Sequence, residues 1–322
     1  MDKLIVTLTR RWPARVEAEL QQEFSVRLNA DDHVMQREEL LEHCAGATVL
    51  CPTITDAIDR ELIDRLPGTI RLIANFGAGT DRIDVAAAGM RGILVSNTPG
   101  AVVEDTADLA IGLIIAACRR FSEGEALLRG GGWAGFSLDR LLGTSVHGKT
   151  LGLVGMGKIG EAVARRAGGF GMRVLYHNRQ RRPDAEQGLG AEYCHSLEDL
   201  LSRSDIVSLH CPLTPETRHL IDARAFGHMR PGSVLVNTAR GAVINEHDLV
   251  QALRQGAIRA AALDVYEYEP RVSRELLDLE NTVLIPHLGT ATEEARYAMG
   301  RRVMENITSF RDSGRPRDLV AD

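Results

Sequence analysis

The stretch Thr150-Leu-Gly-Leu-Val-Gly-Met-Gly-Lys-Ile-Gly160 decides the predicted fold. Leu151, Leu153 and Val154 form the short apolar run of a buried parallel strand, and residues 161–170 have a helical pattern. Between them, glycines in GxGxxG spacing allow a tight turn, close approach of a pyrophosphate to the backbone, and close packing of helix on strand. The stretch therefore predicts a dinucleotide site, although the same spacing also occurs in loops without a ligand.

Strand and helix patterns on both sides of this stretch predict two α/β units. Short apolar strands alternate with amphipathic helices over residues 1–97, and Thr98-Pro-Gly100 then interrupts the pattern. A second alternation runs from the glycine stretch to residue 285, in the order of a doubly wound parallel sheet. The helix predicted over 292–310 is assigned back to the first unit. We therefore predict one domain of residues 1–98 with 289–322 and a second of residues 99–288.

Residues 103–129 connect the two series and predict one long helix. Apolar side chains occur on all sides of it, which is not the pattern of a solvated surface helix. We therefore expect this helix to be buried.

Composition excludes several classes of protein. The chain has 322 residues, 44% of them hydrophobic, and no apolar run long enough to cross a bilayer. Its first nine residues predict a strand rather than a signal peptide, so we expect a cytoplasmic protein without a membrane partner. A formal charge of -6 without a long basic run argues against nucleic acid as a partner. The five cysteines form no CxxC pair, so we expect reduced, mostly buried thiols and no metal site.

The end of the strand that follows the glycine stretch and its helix indicates which dinucleotide binds. NAD sites of this type carry an acidic residue about 20 positions past the glycines, which accepts hydrogen bonds from the ribose. Here Asn178 takes that place and is followed by Arg179, Arg181 and Arg182. Guanidinium groups form charge-assisted bonds to phosphate oxygens, so we predict that NADP(H) is preferred and NAD(H) possible. A solvated basic turn is the alternative interpretation.

Three polar residues follow later strands of the second unit: Arg240, Glu269 and His287. Ligands of open α/β sheets bind at the carboxyl ends of the strands, so we expect these side chains to meet there. A guanidinium binds a carboxylate and polarises a neighbouring carbonyl, and a histidine paired with a carboxylate delivers a proton. Reduction of a 2-keto acid by hydride needs both the polarised carbonyl and the proton donor. Each residue taken singly is more often structural.

The motifs together resemble those of the D-isomer-specific 2-hydroxyacid dehydrogenases, in particular the glyoxylate and hydroxypyruvate reductases. The resemblance covers nearly the whole chain and rests on six segments: Asn75–Asp81, Gly148–Gly160, His210–Thr217, Asn237–Gly241, Asp264–Pro270 and Pro286–Gly289. It implies two Rossmann-like domains with doubly wound parallel sheets, the cofactor domain being inserted into a flavodoxin-like substrate domain.

The resemblance also implies roles for residues. Arg240 would bind and polarise the substrate, His287 would be the general acid and base, and Glu269 would hold His287. Glu267 lies in the same loop, but the glutamate of the family directly precedes the proline. The implied substrate-binding residues are Asn75, Ala78, Gly79, Arg240 and His287. The implied cofactor-binding residues are Thr106, Gly155, Met156, Gly157, Lys158, Ile159, Gly160, Asn178, Arg179, Arg181, Cys211, Pro212, Thr217, Thr238, Ala239, Asp264, His287 and Gly289.

The activity expected from this resemblance is NADPH-dependent reduction of glyoxylate or hydroxypyruvate to the D-2-hydroxy acid. We also expect a homodimer formed through residues 100–145. Trp133 lies where related reductases shape the substrate pocket, and a buried packing role is the alternative for this side chain. Two alternatives stay open. One is reduction of a larger 2-keto acid such as 2-ketogluconate, which the pocket around residues 50–53, Asn75 and Trp133 would decide. The other is a nucleotide-sensing scaffold that binds proteins.

Overall fold

Residues 3–320 are described by a computed structural model, in which the chain separates into two units. The first contains the chain up to Val102 and again from Thr290, and the second is Val103–Gly289. The predicted boundaries lay at 98/99 and 288/289. The first boundary lies four residues later because Ala101 and Val102 pack into the core of the first unit.

The first unit is a parallel sheet flanked by helices. Within the described residues its strand order is β2-β1-β3-β4-β5, the flavodoxin-like order of a doubly wound sheet. The strands are β1 (Ile5–Leu8), β2 (Ser25–Arg27), β3 (Val49–Cys51), β4 (Leu72–Ala74) and β5 (Leu94–Ser96). The helices are α1 (Ala14–Glu23), α2 (Arg37–His43), α3 (Arg60–Arg65), α4 (Val85–Met90) and, from the end of the chain, α13 (Glu293–Ser313).

The second unit is a larger parallel sheet, with the order β12-β11-β10-β9-β6-β7-β8 within the described residues. The order reverses beside β6, the strand of the glycine motif, as in dinucleotide-binding folds. Its strands are β6 (Thr150–Val154), β7 (Arg173–His177), β8 (Glu192–Tyr193), β9 (Ile206–Leu209), β10 (Val234–Asn237), β11 (Ala260–Leu263) and β12 (Thr282–Leu284). Its helices are α5 (Val103–Cys118), α6 (Phe121–Arg129), α7 (Lys158–Gly168), α8 (Pro183–Leu189), α9 (Leu197–Arg203), α10 (Ala223–His228), α11 (Glu246–Arg254) and α12 (Arg274–Leu277). The predicted fold class is confirmed.

The prediction of one long helix over residues 103–129 is wrong, because two helices occupy this range. Helix α5 ends at Cys118, and Arg120 has a φ of 56°, in the left-handed region. α5 is buried as expected, with residues such as Ala107 and Ile114 fully enclosed. α6, in contrast, has no buried residue. The expectation of burial therefore holds only for the first of the two helices.

Helix α4 was not predicted. Its sequence, Val85-Ala-Ala-Ala-Gly-Met90, is short and has no amphipathic period. The signal that would have found it is Asp84, whose side chain caps the helix by accepting a hydrogen bond of 2.8 Å from the N–H of Ala87.

The remaining expectations about composition concern thiols, metals and membranes. All five cysteines are free, and four of them are buried, as expected. Within residues 3–320, no cluster of three or more His, Cys, Asp or Glu side chains is arranged to hold a metal ion. In the same part of the chain, none of the helices combines the length and the apolar character needed to span a membrane.

Candidate active site

The three glycines of the motif are required for different reasons. Gly155 has a φ of +102°, and a Cβ there would lie 2.7 Å from the carbonyl carbon of His210. A Cβ on Gly160 would lie 2.3 Å from the carbonyl oxygen of Gly155, which fixes α7 against the turn. A Cβ on Gly157 would have no atom of the described chain within 4 Å. Packing within the protein therefore explains the first and third glycines, whereas the open space at the second is what close approach of a pyrophosphate would need.

Helix α7 begins directly after this turn. Gly157 is its N-cap residue, and none of the side chains in residues 3–320 caps its first turn. The first N–H groups of a helix and its dipole favour an anion at this end. Met156 is fully buried, so it presents backbone rather than side chain to the turn. Such a turn could bind a dinucleotide phosphate, to which Lys158 and Ile159 would present the first helical N–H groups.

The arginines after β7 are not equivalent. Arg181 forms a bidentate pair with Glu186, with Nε–Oε1 and Nη2–Oε2 distances of 2.8 and 2.7 Å. That pair and a hydrogen bond from Tyr176 lower the pKa of Glu186 to about 2. Arg182 donates to the carbonyl oxygen of Met156 at 3.2 Å and pairs with Glu161 of α7. Both guanidinium groups are therefore held by the protein itself.

Arg179 differs from its neighbours. It is exposed, and its guanidinium donates no hydrogen bond to any acceptor in residues 3–320. The preceding residue, Asn178, donates from Nδ2 to the carbonyl oxygen of Gln180 at 2.9 Å, which shapes the turn. Of the predicted phosphate-binding arginines, Arg179 is thus the one available for an added ligand without breaking an ion pair.

His287 and Glu269 are in direct contact. Nδ1 of His287 lies 2.9 Å from Oε2 of Glu269, and Oε1 of Glu269 accepts a hydrogen bond of 2.9 Å from the N–H of Tyr266. Burial raises the pKa of Glu269, but the bonds from His287 and Tyr266 and the charge of Arg240 outweigh it, so the pKa lies below its ordinary value. Glu269 is therefore a carboxylate at neutral pH. As a carboxylate it can only accept from Nδ1 of His287, and Nε2 of the imidazole stays outside the pair.

Asp264 holds the backbone that carries His287. His287 has a φ of 54°, and its N–H donates to the carbonyl oxygen of Asp264 at 2.8 Å. The carboxylate of Asp264 accepts from the N–H groups of Leu288 and Gly289, the latter at 2.9 Å. Burial raises the pKa of Asp264 above its ordinary value. Thr106 closes the same loop by donating to the carbonyl oxygen of Gly289 at 3.1 Å.

Arg240 follows β10 at the same edge of the sheet. Asn237 donates from Nδ2 to the carbonyl oxygen of Arg240 at 2.9 Å, which fixes the turn. At the next residue, Gly241, a Cβ would lie 1.8 Å from the carbonyl carbon of Tyr266, so the loops of Arg240 and Glu269 are in backbone contact. The charge of Arg240 lowers the pKa of Glu269. The structure thus brings the three predicted residues together after the adjacent strands β10, β11 and β12.

Glu267, the alternative glutamate, faces another partner. Its Oε1 lies 2.7 Å from Nε2 of His219, and its Oε2 accepts from the N–H of Glu246 at 3.3 Å. Glu246 in turn accepts from the N–H groups of Glu267 and Ser273. Sequence reasoning missed this second histidine–carboxylate pair. The pattern Thr217-Arg-His219 carried no spacing that related it to Glu267.

The other predicted cofactor residues lie on loops beside the glycine turn. Gly155 packs on the peptide between His210 and Cys211, and burial raises the pKa of the Cys211 thiol to about 11. The Thr217 hydroxyl donates to the carbonyl oxygen of Pro212 at 2.7 Å and shapes that loop. After β10, the N–H of Ala239 donates to Oδ1 of Asn237. The Thr238 hydroxyl is buried without a hydrogen-bond partner among the described residues.

The predicted substrate-binding residues of the first unit form one loop after β4. Asn75 is 5% exposed, and its Nδ2 donates to the carbonyl oxygens of Gly77 and Gly79 at 3.0 and 2.8 Å. Asn97 donates to the carbonyl oxygen of Ala78 at 2.7 Å. The carbonyl groups of the loop are thus bound by amide side chains. The N–H groups of Ala78 and Gly79 donate to no acceptor in residues 3–320.

Comparison with known proteins relates these features to one family. The family model described as "D-isomer specific 2-hydroxyacid dehydrogenase, NAD binding domain" matches residues 111–289. The glyoxylate reductase of Thermococcus litoralis is 42% identical over 319 residues, which cover 98% of this chain and 96% of that protein.

Two solved structures are similar over almost the whole chain. One is a putative D-isomer-specific 2-hydroxyacid dehydrogenase from Polaromonas sp. JS6 66, with a TM-score of 0.93, 38% identity and coverage of 100% of both chains. The other is an NADPH-dependent glyoxylate/hydroxypyruvate reductase from Sinorhizobium meliloti in complex with NADP and malonate. It has a TM-score of 0.85 and 31% identity, and the match covers 99% of this chain and 97% of that one. The matched residues 111–289 contain the glycine turn and the histidine–carboxylate pair, and the likeness extends through both units. The chain belongs to the D-isomer-specific 2-hydroxyacid dehydrogenases and is an oxidoreductase with an NAD-binding domain.

Proposed function

We propose that the protein reduces a small 2-keto acid, glyoxylate or hydroxypyruvate, to the D-2-hydroxy acid with NADPH. The single observation that carries this proposal is the His287–Glu269 contact of 2.9 Å beside Arg240, at the carboxyl ends of adjacent strands. The names of the glyoxylate reductases to which the chain is similar support the choice of substrate.

In the proposed mechanism, His287 is the general acid. Glu269 stabilises the protonated imidazole, and Nε2 donates a proton to the carbonyl oxygen as it becomes a hydroxyl. Arg240 binds the substrate carboxylate and polarises the neighbouring carbonyl through charge-assisted hydrogen bonds. A nicotinamide cofactor, when bound, would supply the hydride. Asp264 and Thr106 act by holding the loop on which His287 lies.

The preference for NADPH rests on Arg179. An exposed guanidinium that makes no hydrogen bond within residues 3–320, next to Asn178 in the position of the usual acidic residue, provides a site for the phosphate on the ribose. NADH remains a usable alternative, because the glycine turn and α7 bind the part common to both cofactors. We assign cofactor binding to the second unit, predicted as residues 99–288, and a share of substrate binding to the first unit, predicted as residues 1–98 with 289–322.

The loop after β4 supports a carboxylate-binding role for the first unit. Ala78 and Gly79 present N–H groups while Asn75 and Asn97 hold the carbonyl groups of the same loop. Adjacent backbone N–H groups of this kind bind anionic oxygen without a side chain.

We further propose a homodimer formed through residues 100–145, in the cytoplasm, where free thiols stay reduced. Large apolar side chains in and after α6 are more than half exposed in the single chain, which is the pattern of an association surface. They are Phe121, Leu128, Trp133, Phe136, Leu138 and Leu142. Sedimentation at micromolar concentration should give twice the mass of the chain, and a monomer would contradict the proposal.

The activity is tested by following loss of NADPH absorbance with glyoxylate, hydroxypyruvate and 2-ketogluconate, each with NADPH and with NADH. The proposal expects the highest kcat/KM for one of the two smaller acids with NADPH. Faster turnover of 2-ketogluconate would assign the protein to reduction of larger acids. Binding of NADPH without turnover of any 2-keto acid would instead support a nucleotide-sensing scaffold.

A further inference from the structure

A polar cavity lies in the second unit, at the amino ends of its central strands. Its volume is about 370 Å³, and its lining includes Lys149, Asp205, Arg230, Ser233 and Arg259. The candidate active site uses the carboxyl ends of the same parallel strands. The cavity is therefore at the opposite edge of the sheet from His287 and takes no part in the chemistry proposed there.

Topology brings these residues together. Lys149, Asp205, Ser233 and Arg259 directly precede β6, β9, β10 and β11, which are neighbours in the order β11-β10-β9-β6. The residues before these strands are also hydrogen-bonded to each other: the N–H of Arg259 donates to the carbonyl oxygen of Ser233 at 2.8 Å. Adjacent strands lie about 4.8 Å apart, so residues far apart in sequence line one short edge.

Positive charge exceeds negative charge in this cavity. The Asp205 carboxylate already accepts from the N–H of Thr150 at 2.9 Å and pairs with Arg230 at 3.0 Å. The side chains of Lys149 and Arg259 have no hydrogen-bond or ion-pair partner within residues 3–320. Two cations thus remain uncompensated in a chain whose formal net charge is -6.

Two further observations relate the cavity to an oxygen-rich ligand. Ser233 is 2% exposed, and its hydroxyl has no hydrogen-bond partner among the described residues. Buried hydroxyl groups are normally hydrogen-bonded, so an unpartnered one beside two unpaired cations requires an explanation. Burial raises the pKa of the Cys118 thiol at the end of α5 to about 11, and the charges of Arg259 and Lys149 act in the opposite direction, so both cations lie within electrostatic range of that thiol.

We propose that this amino-edge cavity binds a small phosphate-bearing anion, either free phosphate or pyrophosphate or the phosphate group of a small metabolite. Guanidinium and ammonium groups bind phosphate oxygens through charge-assisted hydrogen bonds, and a hydroxyl adds a further donor. The volume lies at the lower end of the range for small-molecule sites, which fits an anion of this size.

Isothermal titration of the full-length protein with pyrophosphate tests the proposal. The titration is done with saturating NADPH, so that the phosphate site at the glycine turn is filled. We expect binding to the wild type, and a loss of affinity of about 10-fold or more in Lys149→Gln/Arg259→Gln, because two charge-assisted contacts are removed. Arg274→Gln is the matched control, since Arg274 is an exposed arginine of the same unit outside the cavity. It should bind like the wild type.

Separate titrations with inorganic phosphate and with glycerol phosphate distinguish the two sources of the phosphate group. Tighter binding of the ester would assign the site to a metabolite, and equal binding would assign it to the free ion. The single variant Arg259→Gln is measured as well, in case the double variant does not fold. Unchanged affinity in a folded variant would overturn the proposal. The proposal would also be overturned if the substitution lowered the midpoint of thermal unfolding by the same amount with and without pyrophosphate. The two cations would then stabilise the end of α5 and not bind the anion.

Discussion

Replacing Gly157 with alanine separates the needs of the fold from the needs of the cofactor. A Cβ at this position meets no atom of the described chain within 4 Å, and no φ in the left-handed region requires glycine there. Gly157→Ala should therefore fold normally. The methyl group would, however, occupy the surface that a dinucleotide pyrophosphate approaches, at the first turn of α7.

The size of the effect follows from the hydrogen bonds at that turn. A bond between a backbone N–H and a charged phosphate contributes about 1.5–3 kcal/mol, and the added methyl group should remove at least one. That corresponds to a roughly 10- to 150-fold weaker affinity for NADPH. The free energy of unfolding without cofactor should stay within about 1 kcal/mol of the wild type or fall slightly, because Gly157 is the N-cap residue of α7 and glycine is preferred to alanine at that position.

Titration of NADPH followed by its fluorescence measures the affinity, and urea unfolding measures the stability. Gly168→Ala is the matched control: it lies in the same helix, and its added methyl group would also have no neighbour within 4 Å. It should change neither property by much. If Gly157→Ala binds NADPH as tightly as the wild type, the assignment of this turn to the pyrophosphate is wrong.

Three further substitutions test the surrounding site. Arg179→Ala should raise KM for NADPH about 10-fold and leave KM for NADH unchanged, whereas Arg181→Ala should have a smaller effect on KM because Arg181 already pairs with a carboxylate; equal effects would refute the distinction. Gly241→Ala should lower the free energy of unfolding by about 3 kcal/mol or more, or prevent folding, since its Cβ would lie 1.8 Å from a backbone carbon; normal stability in urea would contradict this packing. The pKa of Glu269 is lowered in the folded protein, so its contribution to stability is complete above the unfolded pKa and is lost as the pH falls through the folded one. The stability of the wild type relative to Glu269→Gln should therefore be constant above about pH 5 and decrease below about pH 4.5, and a difference that grows on acidification would show the opposite sign.

Much of the fold was predictable because its strands are buried on both faces. Apolar runs in the sequence, such as Ile206–Leu209 and Ala260–Leu263, coincide with the strands β9 and β11. The break between α5 and α6 was not predictable, since it contains neither glycine nor proline, and Arg120 adopts a left-handed conformation that arginine rarely takes.

The candidate site likewise has features that the sequence predicted and features that it did not. The meeting of Arg240, Glu269 and His287 followed from their positions after parallel strands, because parallel strands end at one edge of the sheet. The partners of long side chains did not follow. Nothing in the spacing predicted that Arg181 would pair with Glu186 while Arg179 stays without an internal acceptor.

The most direct test of the account is the rate of glyoxylate reduction by His287→Asn. Asparagine tolerates the left-handed backbone conformation seen at His287, so the variant should fold, but it has no imidazole to donate a proton. Loss of a general acid lowers rates by about 100- to 10,000-fold, so we expect kcat to fall by at least about 100-fold. The Kd for NADPH, measured by fluorescence on the same protein, should stay close to that of the wild type. A His287→Asn variant that binds NADPH and retains the kcat of the wild type would contradict the account.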